Sequence, residues 1–303
     1  MLSALIAVFF LFLGLFLRSQ KSFPIGTASK WVNNYLFYLV LPALALLYIP
    51  SMEMHSGLLI PISAAWFTFL LSWLIFGLLG KYLNWGRNMT GCLIIVAGLA
   101  NTSFMGFPVI EFVYGKEGLP TAFLMDQGGS FLLVSSLSIV VGSIYSEKEG
   151  DLRRIPLKII SFPPFLFLVL SVILSLLLIK LPEVLIPPLE WIGMTMAPMA
   201  LLAIGLRLSL DLSTLRSRFF WQAMSYRLIL APLLVWMIYG FWLDRTGLEF
   251  KVMVLESGMA PMITGSIVAI QYDLNPKLAS QLAGLGMPIA VLSLALWYFF
   301  LGA

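Results

Sequence analysis

Apolar residues run through this chain in long stretches, and polar residues gather in short gaps between them. A helical membrane span needs about 20 apolar residues. The pattern predicts ten spans, at 2–17, 31–49, 57–79, 89–114, 119–145, 159–179, 184–206, 219–243, 250–272 and 277–301. The longest polar gap, "SEKEGDLRRIPLK" at 146–158, reads as a linker between two halves, 1–145 and 159–303.

The halves repeat each other. "LPALALLYI" at 41–49 lies over "APMALLAIG" at 197–205, with Pro42 on Pro198, and at nearly the same offset the span at 89–114 falls on the one at 250–272. Each half holds five spans. Five is odd, so the second half enters the membrane from the opposite side, which is a common plan of secondary transporters. The fold expected is an all-α membrane protein of ten transmembrane helices in two inverted five-helix repeats.

Two of those spans are interrupted at equivalent places. Span 4 reads "AGLANTSFMGFPVIEF" and holds Asn101, Thr102 and Ser103 ahead of Gly106 and Pro108. Span 9 holds Glu256 and Ser257, then Gly258, Pro261 and Gly265. Proline removes a backbone donor and clashes with the preceding turn. Backbone groups freed in this way survive in a membrane only where protein or a water-filled cavity covers them. A pair of interrupted spans in corresponding positions of two repeats is the best sequence pointer to a transport site. N-termini of half-helices suit an anion, and C-termini and unwound carbonyls suit a cation.

Composition agrees with the pattern. Of 303 residues, 60% are hydrophobic and 11% charged, against roughly a quarter charged in a soluble domain. No Lys or Arg precedes the first span, and Arg18, Lys21 and Lys30 follow it, so it reads as a retained helix rather than a signal peptide. Cys92 and His55 are each alone of their kind, which leaves little for a Cys/His zinc cluster or a catalytic triad. The net charge of +4 is explained by orientation rather than by nucleic acid. Connections 1–2, 3–4, 5–6, 7–8 and 9–10 hold most of the Lys and Arg, while the other four hold only Lys116, Lys180, Arg245 and Lys251. The positive-inside rule puts the first set in the cytoplasm and both termini outside it, as for a multi-pass protein of the inner membrane.

A charge at mid-membrane costs about 2.5–3.5 kcal/mol on insertion scales. Glu256, two residues before Gly258, reads as a cation ligand, or as a protonated acid, or as a partner of Arg227. Counting outward from the turn near Gly115 places Asp126 and Ser130 at about the depth of Asn101, and the two share one helix face. Glu111 reads as interfacial, Arg207 as a side chain snorkelling at a helix end, and Arg227 as a structural partner for a buried acid or as a group that attracts an anionic substrate.

Three segments carry a resemblance: "NTSFMGFPVIEFVYGKEGL" (101–119), "APMALLAIGLRL" (197–208) and "ESGMAPMITGSIVAIQYDLNPKLAS" (256–280). They resemble the auxin efflux carrier family, and the likeness is strongest in spans 4, 7 and 9. It implies a scaffold of helices 1, 2, 6 and 7 and a mobile unit of helices 3–5 and 8–10, with helices 4 and 9 crossing at their breaks. It also implies small organic anions as cargo, and related carriers suggest a homodimer. Glu256 in "ESGM" is similar instead to the bile acid:sodium symporter family, in which a glutamate at this place binds sodium.

The expectation is therefore a membrane-embedded secondary active transporter, not an enzyme, moving a small organic anion by elevator-type alternating access. The candidate substrate contacts are Asn101, Thr102, Ser103, Pro108, Pro261 and Met262. The candidate sodium ligands are Glu256, Asn101, Asp126, Ser130 and Met259. Apart from that ion no cofactor is expected. Proton coupling, an uncoupled uniporter and a channel-like facilitator stay open as alternatives.

Overall fold

The computed structural model describes residues 2–20, 22–50, 57, 59–146, 163–207 and 215–302. His55, most of the linker 146–158 and the side chain of Arg207 lie outside the described residues. The described residues are helical nearly throughout and form no strand beyond one isolated bridge.

Helix α1 is Leu2–Ser19, α2 Ile25–Tyr48, α3 Leu59–Tyr82 and α4 Arg87–Gly98. Helix α5 covers 102–114 and α6 covers 119–145. Helix α7 is Pro163–Leu176, α8 Glu183–Leu206 and α9 Arg218–Trp242. Helices α10, Gly247–Ser257, α11, Ile263–Gln271, and α12, Pro276–Phe300, complete the chain.

Among the described residues, six stretches are long and apolar enough to cross a membrane: α2, α3, α5 joined to α6, α8, α9 and α12. The joined stretch folds back on itself. The Thr102 hydroxyl donates to Asp126 Oδ1 at 2.6 Å, whereas a straight helix would hold those residues about 36 Å apart. The reversal falls at Gly115–Gly118, where Gly115 takes φ +71, a left-handed conformation open to glycine. Helices α4, α10 and α11 have 12, 11 and 9 residues and are too short to cross alone. Large apolar side chains such as Phe12, Leu74, Leu170, Phe241, Leu292 and Phe299 are exposed. On a protein in water such a surface would be a liability; in a bilayer it is the lipid face.

The chain forms two compact units. The first comprises Met1–Leu58, Ser103–Phe123 and Ile160–Leu208. Within it α1 packs along α8, with Gly14 so close to its neighbour that a Cβ there would lie 2.7 Å from Leu202 O. Small residues permit this approach, and lipid-embedded helices gain from the close packing that results. Helix α2 packs on α7 and α8, and the Tyr35 and Thr195 hydroxyls are 2.9 Å apart.

The second unit comprises Leu59–Thr102, Leu124–Ile159 and Ser209–Ala303. Helix α3 lies against α4 and α6. At α6 the contact is set by Gly128 and Gly129, where added Cβ atoms would lie 2.6 Å from Ile62 Cδ1 and 2.5 Å from Ala65 Cβ. Helix α10 packs on α9, α3 and α12. The stretch Ser103–Phe123, which covers most of the second half of the fourth expected span, groups with the first unit rather than with α3, α4 and the rest of α6.

Candidate functional site

The site is built where two helices stop. Helix α4 ends at Gly98, and Leu99 leaves it with φ −101 and ψ 121. Helix α10 ends at Ser257, and the chain becomes helical again at Ile263. The two unwound segments pair as a short antiparallel bridge, Ala100 opposite Pro261. Asn101 N donates to Ala260 O at 2.8 Å and Met262 N to Leu99 O at 2.9 Å. Ala100 and Pro261 thus form the non-hydrogen-bonded pair of the ladder, so proline, which has no N–H, fits without loss. The bridge meets the rule that backbone polar groups at membrane depth must be paired within the protein.

This corrects the expected cause of the first break. Gly106 and Pro108 do not make it: the helix ends at Gly98, well before them. Gly106 closes a wider, π-helical turn at Thr102–Gly106, and the α-helix Phe107–Tyr114 follows it directly with Pro108 as its second residue; the widened turn ahead of Pro108 accommodates a residue that has no N–H to give to that turn. Pro108 therefore does not hold two half-helices apart. The bridge to Pro261 does that.

Arg227 stands at both breaks. It is 0% exposed. Its Nη1 donates to Gly98 O at 2.9 Å and to Ala97 O at 3.3 Å, and its Nη2 donates to Ser257 O. One guanidinium thus caps the C-terminal ends of α4 and α10, where unpaired carbonyls and the helix dipoles favour a cation. The spacing of the sequence suggested an acid as its partner; its partners are carbonyls.

Beside Arg227 lie polar groups with no partner of their own. Glu256 and Asn101 are each 0% exposed. Among the described residues, neither carboxylate oxygen of Glu256 and neither amide atom of Asn101 has a hydrogen-bond partner, and the Ser257 hydroxyl has none. Asp126 is bonded instead, accepting from Thr102 Oγ1 and from Gln127 Nε2, each at 2.6 Å. Glu256, Thr102, Ser130, Ser257 and Arg227 line one cavity of about 10 Å³, room for a single water-sized particle. Three of the positions sit in π-helical turns, at Thr102–Gly106, Met125–Phe131 and Tyr226–Leu230. Such turns disturb the regular helical pairing and occur often at functional sites.

Asn101, Thr102, Asp126, Ser130, Glu256, Met259, Pro261 and Met262 all belong to the second unit, whereas Ser103 and Pro108 belong to the first. Met259 is buried in the unwound segment, its N–H donating to Glu256 O at 3.2 Å. Ser257 and Gln127 were not among the candidates. Their signal in the sequence was adjacency to Glu256 and Asp126. Glu111 lies elsewhere. It lines a hollow of about 700 Å³ within the first unit, with Tyr48, Lys116, Lys180, Glu183 and Glu190.

Buried carboxylate and amide oxygens without partners, next to a cavity of one-particle size, suit a small positive charge. A sodium ion there would find the Glu256 carboxylate and the hydroxyls of Ser130 and Ser257 as oxygen donors, and a proton would reside on Glu256 itself. Burying an unbalanced carboxylate is otherwise costly.

Comparison with known proteins gives a family profile described as membrane transport protein, which matches residues 1–149 and 151–298. An uncharacterized transporter of Methanocaldococcus jannaschii is 28% identical over 279 residues, covering 89% of this chain and 88% of that protein. An uncharacterized transporter of Methanothermobacter thermautotrophicus is 29% identical over 213 residues, covering 68% of this chain and 66% of that protein.

Proposed function

The chain belongs to the membrane transport protein family, and on that premise we propose that it is a secondary active transporter of a small organic anion. It is a multi-pass membrane protein, in contact with the lipid bilayer and with a transported substrate. The observation that carries the finer reading is the bridge between two broken helices, with Glu256 and Asn101 buried and unpaired beside it.

In this reading the ten spans form two inverted five-helix repeats, with both termini on the extracytoplasmic side of the inner membrane. The equivalent breaks after α4 and α10 support it. Spans 1, 2, 6 and 7 serve as scaffold. Spans 3–5 and 8–10 move as an elevator and carry the crossing from one face to the other, and two chains associate as a homodimer. The anion contacts Asn101, Thr102, Ser103, Pro108, Pro261 and Met262, helped by the opening N–H groups of α11, which lack intrahelical partners. Glu256, with Asn101, Asp126, Ser130 and Met259, holds the coupling charge, sodium or a proton. A lid of bulk water is not required: release follows from moving the whole crossing.

Uptake of radiolabelled mono- and dicarboxylates into proteoliposomes tests this, under imposed sodium and pH gradients. The reading expects a saturable signal for at least one anion that Glu256→Gln abolishes. Flux that does not saturate and needs no gradient points to a facilitator. Silence for every anion, with signals from neutral or cationic solutes, overturns the substrate class.

A further inference from the structure

Three ionisable side chains meet at the crossing: Asp126, Arg227 and Glu256, none more than 1% exposed. We propose that Arg227 is a built-in counter-cation, so that the site takes up one exchangeable monovalent positive charge per chain and not two. The inference rests on the reading that Glu256 holds the coupling charge.

The charge count comes first. Two carboxylates and one guanidinium leave a single negative charge in a water-poor interior, and an arginine cannot discharge itself there. An uncompensated buried charge is strongly unfavourable, so one further positive charge neutralises the set. The geometry agrees. Arg227 donates to the carbonyls of Gly98 and Ser257, oxygens of the kind a hard cation uses, and its own charge repels a second cation from them. Asp126 is engaged by Thr102 and Gln127. Among the described residues, the carboxylate oxygens at the crossing without hydrogen-bond partners are those of Glu256, and the cavity beside them has room for one particle.

Among the described residues no further charge competes at Glu256: on α10 itself Glu249 lies in the first turn and Lys251 donates to Gly302 O. From α9 come Arg227, Tyr226, whose hydroxyl donates to Thr68 O, and Tyr239, whose hydroxyl is 2.8 Å from Ser63 Oγ. Helix α3 carries Lys81 and Tyr82 only in its last turn. Helix α12 carries Lys277 in its first turn and Tyr298 near its end. Asp126 faces the site from α6.

The test counts positive charges bound by the detergent-purified full chain. Radioactive sodium is followed by equilibrium dialysis, with choline replacing sodium as the control. Where no sodium binds, the slope of thermal stability against pH counts protons. If the charge is a proton, the folded chain holds one proton more than the unfolded one, and stability rises as pH falls.

The wild type is expected to bind one charge, and Arg227→Lys also one. Arg227→Met is expected to bind two, or one held roughly tenfold more tightly. Asp126→Asn covers the case in which Arg227→Met does not fold. It leaves Arg227 in place and removes one negative charge, so Glu256 is already balanced and the exchangeable charge binds at least about tenfold more weakly. Two ions in the wild type, or an Asp126→Asn chain with unchanged count and affinity, overturns the inference. If that result still depends on Glu256, the coupling reading survives. If neither sodium nor pH distinguishes wild type from Glu256→Gln, the coupling reading falls with it.

Discussion

The two breaks are alike in backbone and opposite in side chains. After α4 the unwound stretch leads straight into polar residues, Asn101, Thr102 and Ser103. After α10 it reads Met259, Ala260, Pro261 and Met262, and the polar groups, Glu256 and Ser257, lie on the helix before it. The first break supplies hydroxyls and an amide, the second a carboxylate, and Arg227 caps the helix ends of both. Symmetry of the chain path therefore gives the bridge. Asymmetry of the side chains gives the crossing hydroxyls and an amide from one break and a carboxylate from the other.

Removing the shared cap should do most damage, because it affects both breaks at once. Arg227→Met leaves carbonyls of Gly98 and Ser257 without their donor and two buried acids without their counter-charge. A loss of about 3–5 kcal/mol is expected, read as the largest fall in thermal unfolding temperature of any single variant at the crossing. A change under about 1 kcal/mol would mean that water replaces the guanidinium there.

The side-chain contrast separates next. Thr102→Val deprives Asp126 of a donor in a buried place and should cost about 1.5–3 kcal/mol. Ser257→Ala removes a hydroxyl that has no partner, so stability in the ligand-free state should stay within about 0.5 kcal/mol or improve. Equal losses in the two variants would erase the distinction between the breaks. Chemical denaturation of the purified chains in mixed micelles makes the comparison.

Two substitutions probe the bridge itself. Met262→Pro deletes the N–H that bonds Leu99 O and sets the ring Cδ against that oxygen, 2.9 Å from the nitrogen, although φ −68 suits proline. The cost should exceed that of one hydrogen bond, at about 2–3 kcal/mol. Pro261→Ala changes a position whose N–H the ladder does not use, and the loss should stay under about 1 kcal/mol through a looser unfolded chain. Should Pro261→Ala prove the worse of the two, proline rather than the bridge would be what keeps the helices broken.

The sequence made some of this readable and hid the rest for physical reasons. Apolar run length locates helices well, because lipid thickness sets it, and among the described residues the ranges expected for the spans fall mostly on helix, interrupted chiefly at the unwound 99–101 and 258–262. Antiparallel counting from Gly115 brought Asp126 level with Asn101, and the structure joins Asp126 to Thr102, one residue on. The site of the first break was misjudged by trusting Pro108. A helix can stop without a proline where another chain segment accepts and donates its freed backbone bonds, and that segment lies more than 150 positions away in Ala260–Met262. Arg227 was hidden for the same reason: its partners are carbonyls, which every residue has, and only the tertiary fold selects Gly98 and Ser257.

The central claim is that the crossing is exposed to the two sides of the membrane in turn. A Ser130→Cys chain, in a background with Cys92→Ser, tests it most directly through labelling by membrane-impermeant thiol reagents added to either side of oriented vesicles. Ser130 lines the cavity at the crossing, and Cys92 is the one native thiol. The account expects labelling from each side, slowed from both by sodium, or by low pH beyond the slowing that the same chain with Glu256→Gln shows, since low pH alone protonates the thiol. Labelling from one side alone, under every gradient tried, would contradict it.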